Sequence, residues 1–140
     1  MAKFYGLDVG SKTIGVAFSE GYFANVHSTI RFKEDDFSEA VEQFMKIVNQ
    51  ENFEKIVIGY PKNMNGSLGH RVEMVDLFID TLVEEGSIQK DKVVLIDERL
   101  TTRMAKALMI EANLSRKKQK VNKDQIAAKL ILETFLQQNK

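Results

Sequence analysis

The stretch Phe4-Tyr5-Gly6-Leu7-Asp8-Val9-Gly10-Ser11-Lys12-Thr13-Ile14-Gly15-Val16-Ala17-Phe18-Ser19 decides the fold. Residues 4–7 and 13–18 are short apolar and β-branched runs, broken by Gly10-Ser11-Lys12, which is the pattern of a hairpin with a tight turn. One carboxylate, Asp8, stands inside the first run with Gly6 and Gly10 on either side. A charge in a strand that otherwise reads as buried costs about 3 kcal/mol unless something pairs with it. No Lys or Arg stands at i±2 to pair on the same strand face. The glycines leave the backbone bare, so a ligand could approach closely. Asp8 therefore reads as a metal-ligand or phosphate-site carboxylate, against the plainer alternative of a solvated acid at a strand end.

Working outward, the 140 residues suit one domain, 1–140, with enough length for a substantial core. A hydrophobic content of 44% with a single Pro fits an ordered globular chain. Acidic and basic residues cancel at 20 each, so any attraction to nucleic acid must come from local asymmetry. The absence of cysteine excludes disulfides, thiolate metal sites and cysteine nucleophiles together. With His27 and His70 as the two imidazoles, a His-rich zinc site is disfavoured. Met1-Ala2-Lys3 runs straight into the first strand, and no apolar run approaches the roughly 20 residues of a membrane helix. The expectation is a soluble, cytoplasmic protein with no membrane partner.

Residues 26–32 read as a third antiparallel strand, ending at Glu34-Asp35-Asp36. Phe37, Ala40, Val41, Phe44 and Val48 recur at helical spacing, with Asp36 or Ser38 as cap. The continuous apolar run 55–60 suits a central strand covered on both faces. It empties into a turn-rich loop, 61–69. Val72, Val75, Ile79 and Leu82 mark a second helix ending near Gly86, and residues 92–96 a further buried strand ending at Asp97-Glu98-Arg99. Thr101 or Thr102 could cap a helix with Ala105, Leu108, Met109 and Ala112 on its apolar face. From 113 to 123 apolar periodicity gives way to charge, and a final helix is expected over 124–138, with Ile126, Ala127, Leu130, Ile131 and Phe135 facing inward. The order βββ-α-β-α-β-α-α predicts an α/β fold, a mixed five-stranded sheet flanked by helices, with three antiparallel N-terminal strands followed by parallel ones. Sites in such sheets form beyond the carboxyl ends of strands.

Three acids stand out: Asp8 in the first strand, Glu98 past the end of the last, and Asp124 opening the final helix. Asp124 shares a helix face with Ala127, Ala128 and Ile131, so it reads as turned toward the protein, although an acid in a first helical turn also serves the helix dipole. Three acids on convergent element ends, without His or Cys, suggest an oxygen-ligand site for Mg²⁺ or Mn²⁺. Two such ions about 4 Å apart activate water and stabilise the leaving oxygen in phosphodiester hydrolysis. Adjacent strand residues point to opposite faces, so Glu98 takes the metal and Asp97 is left structural or supporting. Arg99 is placed to pair with Asp97 or to reach a phosphate. Arg116, Lys117, Lys118, Lys120 and Lys123 make a basic stretch directly before Asp124. Alone it reads as a solvated linker; beside a carboxylate site it reads as a grip on substrate phosphates, with Lys12 and Arg71 as further candidates.

Gly6-Leu7-Asp8-Val9-Gly10-Ser11-Lys12-Thr13, Gly59-Tyr60-Pro61-Lys62-Asn63-Met64-Asn65-Gly66, Asp97-Glu98-Arg99-Leu100-Thr101-Thr102 and the terminal Asp124, Ala127-Ala128, Ile131-Leu132 together resemble the RuvX/YqgF family, in order and over essentially the whole chain. The resemblance implies an RNase H-like fold related to the RuvC resolvases, with a metal-dependent site whose three acids fall on Asp8, Glu98 and Asp124. It implies a nuclease maturing the 5′ end of precursor 16S rRNA in ribosome biogenesis, with ribosomal particles as partners. The alternative substrate is branched DNA, cut by a Holliday junction resolvase acting as a homodimer rather than a monomer. Two further readings stand beside these: an RNase H-like module that binds without cutting, and one lobe of an actin-like or sugar-kinase fold.

Overall fold

A computed structural model describes residues 3–20, 23–48, 53–61, 69–97 and 116–138. The hairpin is present: β1 (Lys3–Val9) and β2 (Thr13–Glu20) pair antiparallel, with Asp8 opposite Gly15. The Gly10 N–H donates to the Thr13 carbonyl at 2.8 Å and closes the turn. β3 (Phe23–Arg31) pairs antiparallel with β2, and its register passes over His27 as a bulge. It spans 23–31 where apolar pattern alone predicts 26–32, because its exposed positions mix apolar Phe23 and Val26 with polar Asn25, His27 and Arg31 and so give no clean alternation. Beyond it, the Phe32 N–H donates to the Lys12 carbonyl (3.0 Å) and the Asp35 N–H to the Ser11 carbonyl (2.8 Å), tying the chain to the hairpin turn.

Helix α1 (Phe37–Val48) is capped by Asp36, whose Oδ1 accepts from the Glu39 N–H at 3.1 Å. β4 (Lys55–Tyr60) then pairs parallel with β1 over the span the sequence predicts. Helix α2 (Gly69–Glu85) follows, and a 3₁₀ turn (Lys90–Lys92) leads into β5 (Val93–Asp97), parallel to β4. The sheet order is β3-β2-β1-β4-β5, antiparallel on one side of β1 and parallel on the other. The expected helix around 105–112 lies outside the described residues.

Period-two alternation gives the sheet two different faces. Tyr5, Leu7, Ile14, Val16, Ile56 and Ile58 point to one side, where α1 and α2 add Phe44, Phe78 and Leu82 to a large apolar core. Tyr5 meets Phe44 edge-on, with ring centroids 5.8 Å apart. Ala17, Val57 and Ile96 point to the other side, against Ala128, Ile131, Leu132 and Phe135 of the final helix, α3 (Arg116–Gln138). Among the described residues, no helix is long and apolar enough to cross a membrane.

Two expectations need correction here. α3 begins at Arg116, so residues 116–123 are helix and not a linker, and Asp124 lies in the helix interior and not in its first turn. Arg, Lys and Gln are good helix formers, but a segment polar all round shows no apolar period to read. The bare backbone at Gly6 serves helix packing: a Cβ there would stand 2.8 Å from both the Ala128 carbonyl and the Leu132 Cβ.

Candidate active site

Asp8, Gly15 and Thr29 form one row across β1, β2 and β3. Directly paired strand residues have Cα atoms about 5 Å apart. Asp8 belongs to the face that carries Phe4 and Gly6, the side covered by α3. α3 crosses this row at Asp124. A Cβ on Gly15 would overlap the Asp124 carbonyl and lie 3.1 Å from the Asp124 Cβ, so the helix backbone rests directly on the strand. The Thr13 hydroxyl, two positions before Gly15 on the same strand face, donates to Asp124 Oδ2 at 2.9 Å. The next helix residue is fastened as well: Gln125 Nε2 donates to Thr29 Oγ1 at 3.1 Å.

The fold thus brings together Asp8 and Asp124, which are 116 positions apart in the chain (124 − 8). Both are half-buried. Ala128 and Ile131, one and two turns beyond Asp124, are fully buried, so its helix face is the one against the sheet. Ala127 and Ile126 are half-buried, flanking that face rather than forming it. Among the described residues, no three His, Asp or Glu side chains gather as a metal site. The third acid, Glu98, and Arg99 lie outside the described residues.

The other candidates are spread more widely. Lys12 is exposed in the hairpin turn, near the β1 end that carries Asp8. Arg71 is half-buried near the start of α2, which packs on the opposite side of the sheet from α3. Arg116, Lys117, Lys118 and Lys120 occupy the first turns of α3, N-terminal to Asp124 on one continuous helix. Asp97 alternates with Ile96 and belongs to the face away from α3. At the end of β4, the Tyr60 hydroxyl donates to Asp76 of α2 at 3.1 Å. Burial first, then that hydrogen bond and the Asp76 charge, push the Tyr60 hydroxyl above its usual 10.0, and it stays protonated. Thr13, Gly15, Thr29 and Gln125 are the residues that sequence reasoning missed. A glycine inside a β-branched run is itself a signal of close backbone approach, and Gly15 carried it.

A mixed sheet of this order, with a helix laid across its antiparallel half and two acids at the crossing, defines an RNase H-like α/β domain. Thermus thermophilus RuvC, in a structure titled as its complex with a Holliday junction substrate, matches this fold with a TM-score of 0.61 over 100% of this chain and 98% of that one, at 12% identity. The model of the RuvX family, described as Holliday junction resolvase, matches residues 2–138. A Mesoplasma florum protein named "Putative pre-16S rRNA nuclease" is 51% identical over 100% of this chain and 99% of its own length. A Mycoplasma capricolum protein of the same name is 47% identical over 95% of this chain and 94% of its own. The chain belongs to the RuvX family, a nuclease family with the RuvC-type fold.

Proposed function

We propose that this chain is a metal-dependent endonuclease that hydrolyses phosphodiester bonds of structured RNA, maturing the 5′ end of precursor 16S rRNA. The observation that carries the reading is the seating of Asp124 on Gly15, the cross-strand partner of Asp8. Two half-buried carboxylates on one face at this crossing offer the oxygen donors that a hard divalent cation takes. The donors fit Mg²⁺ or Mn²⁺: carboxylate oxygens, with no thiolate in the chain. Glu98 is proposed as the third acid. In the sequence it directly follows β5, whose Ile96 packs against α3.

Bound there in a pair, such cations supply charge stabilisation at the scissile phosphate and an acidified water. Asp8, Glu98 and Asp124 hold and space the site. Arg99, Lys12 and the basic start of α3 counter the charge of flanking phosphates, with Arg71 as a more distant contact. With precursor 16S rRNA as its substrate, the protein would work on ribosomal particles. A junction resolvase would instead work as a homodimer.

End-labelled precursor rRNA and a four-way DNA junction, each incubated with Mg²⁺, Mn²⁺ or chelator, test this directly. The expected result is metal-dependent cleavage of the RNA, with Asp8→Asn folded, binding, and slower by at least about a thousandfold. Cutting of the junction alone would reassign the substrate to branched DNA. Full activity of Asp8→Asn would sink the site.

A further inference from the structure

We infer that Thr13 is a positioning residue for Asp124: its hydroxyl sets the rotation of the carboxylate and so the affinity of the site for a divalent cation. This rests on the metal reading of Asp124 given above. A carboxylate on a helix can swing about two side-chain torsions, and a hard cation requires its oxygens at fixed positions. In this chain Oδ2 is tied by the Thr13 hydroxyl at 2.9 Å, which leaves Oδ1 as the untethered oxygen of that pair contact. Groups that hold a ligating side chain in orientation commonly account for 10–100-fold in metal affinity.

Thr13 is itself well held. It opens β2 in register with Arg31, and its carbonyl accepts the Gly10 N–H at 2.8 Å. A Cβ on Gly10 would stand 2.9 Å from that carbonyl and 3.6 Å from the hydroxyl, so the turn closes tightly around this residue. Its branched Cβ also restricts χ1, so the hydroxyl has few other directions to take. The acceptor is equally constrained, because the Asp124 backbone is wedged on Gly15 and the neighbouring Gln125 is bonded to Thr29. The remaining freedom at the crossing is the carboxylate rotation, and among the described residues the Thr13 hydroxyl is the group that fixes it.

The test is Mn²⁺ titration of the full chain, followed by calorimetry or by the paramagnetic resonance of free Mn²⁺, for wild type, Thr13→Val, Thr13→Ser and Asp124→Asn. Metal-free melting is recorded alongside. Thr13→Val is expected to weaken Mn²⁺ binding about 10–100-fold, with Thr13→Ser restoring it. The melting temperatures of the two Thr13 variants should stay close, since shape is kept in one and the hydroxyl in the other. Wild-type binding with Thr13→Val unchanged overturns the positioning role and leaves the metal reading standing. A lower melting temperature for Thr13→Val with unaltered affinity does the same, reducing the contact to a helix anchor. Wild-type protein that takes up no Mn²⁺ overturns the metal reading and this inference with it.

Discussion

The two faces of the sheet are built on opposite plans from the same strands. Toward α1 and α2, β1 and β2 send Tyr5, Leu7, Val9, Ile14 and Val16, all buried and mostly large. Toward α3 they send, beyond Phe4 near the start of β1, which packs on Phe135, the small or polar residues Gly6, Asp8, Thr13, Gly15, Ala17 and Ser19. The first face gains stability from volume: Phe44, Phe78 and Leu82 fill the space between helices and sheet. The second gives up volume for proximity, and α3 settles onto the strand backbone at Gly6 and Gly15. Only at such short range can a helical carboxylate take a hydrogen bond from a strand hydroxyl beside a strand carboxylate. The same alternation that makes one side a core makes the other a place for chemistry.

Truncation on the large-residue face separates the two plans most sharply. Phe78 is fully buried and meets Phe37 with ring centroids 5.9 Å apart. Phe78→Ala should cost about 4 kcal/mol in denaturant unfolding, through lost burial and the cavity left behind. Cleavage per folded molecule should stay near wild type, because nothing at the α3 crossing has moved. A variant that stayed folded yet lost its cleavage would show that the faces are coupled.

The next largest effect should come from adding a single methyl on the other face. Gly15→Ala forces a Cβ into the Asp124 carbonyl, and backbone must shift to receive it. The expected cost is about 3 kcal/mol, at the upper end of overpacking penalties. Unlike Phe78→Ala, it should also lower cleavage per folded molecule, by about tenfold or more, because it displaces Asp124 from Asp8. Measuring both quantities for both variants tests whether stability and activity divide along the two faces.

How much of this was legible in the sequence follows the same division. Bulky residues at period two and at helical spacing announced β1, β2, β4, α1 and α2, because burial of volume leaves a strong periodic trace. The exposed edge strand β3 and the start of α3 leave little such trace, and their boundaries moved most, while β5 shifted by one residue, from 92–96 to 93–97. Asp8 and Asp124 were found as acids in apolar surroundings. Their proximity, however, is a property of the register that sets Asp8 opposite Gly15 and of the helix lying over that pair. Thr13 escaped notice for a related reason. A threonine opening a strand is ordinary by propensity, and its hydroxyl acquires meaning only from a helix 111 residues further along the chain.

The smallest effect should be a gain, and it falls on the face that surrenders volume. Ser19 is fully buried on the α3 side, between its strand partners Phe4 and Ala24. Its hydroxyl has no hydrogen-bond partner among the described residues. Burying a hydroxyl without a partner forfeits its bonds to water, whereas an alanine methyl of nearly the same size carries no such penalty. Ser19→Ala should therefore raise stability by about 1 kcal/mol, read as a higher denaturant midpoint with an unchanged slope. Activity should not change, since Ser19 lies at the opposite end of β2 from Thr13. A loss of similar size would mean that the hydroxyl is satisfied in solution and that polarity on this face is structural as far as its outer end. A gain would confine the useful polarity to the row of Asp8, Gly15 and Thr29 and to the Thr13 hydroxyl beside it, leaving the rest of the α3 face as packing.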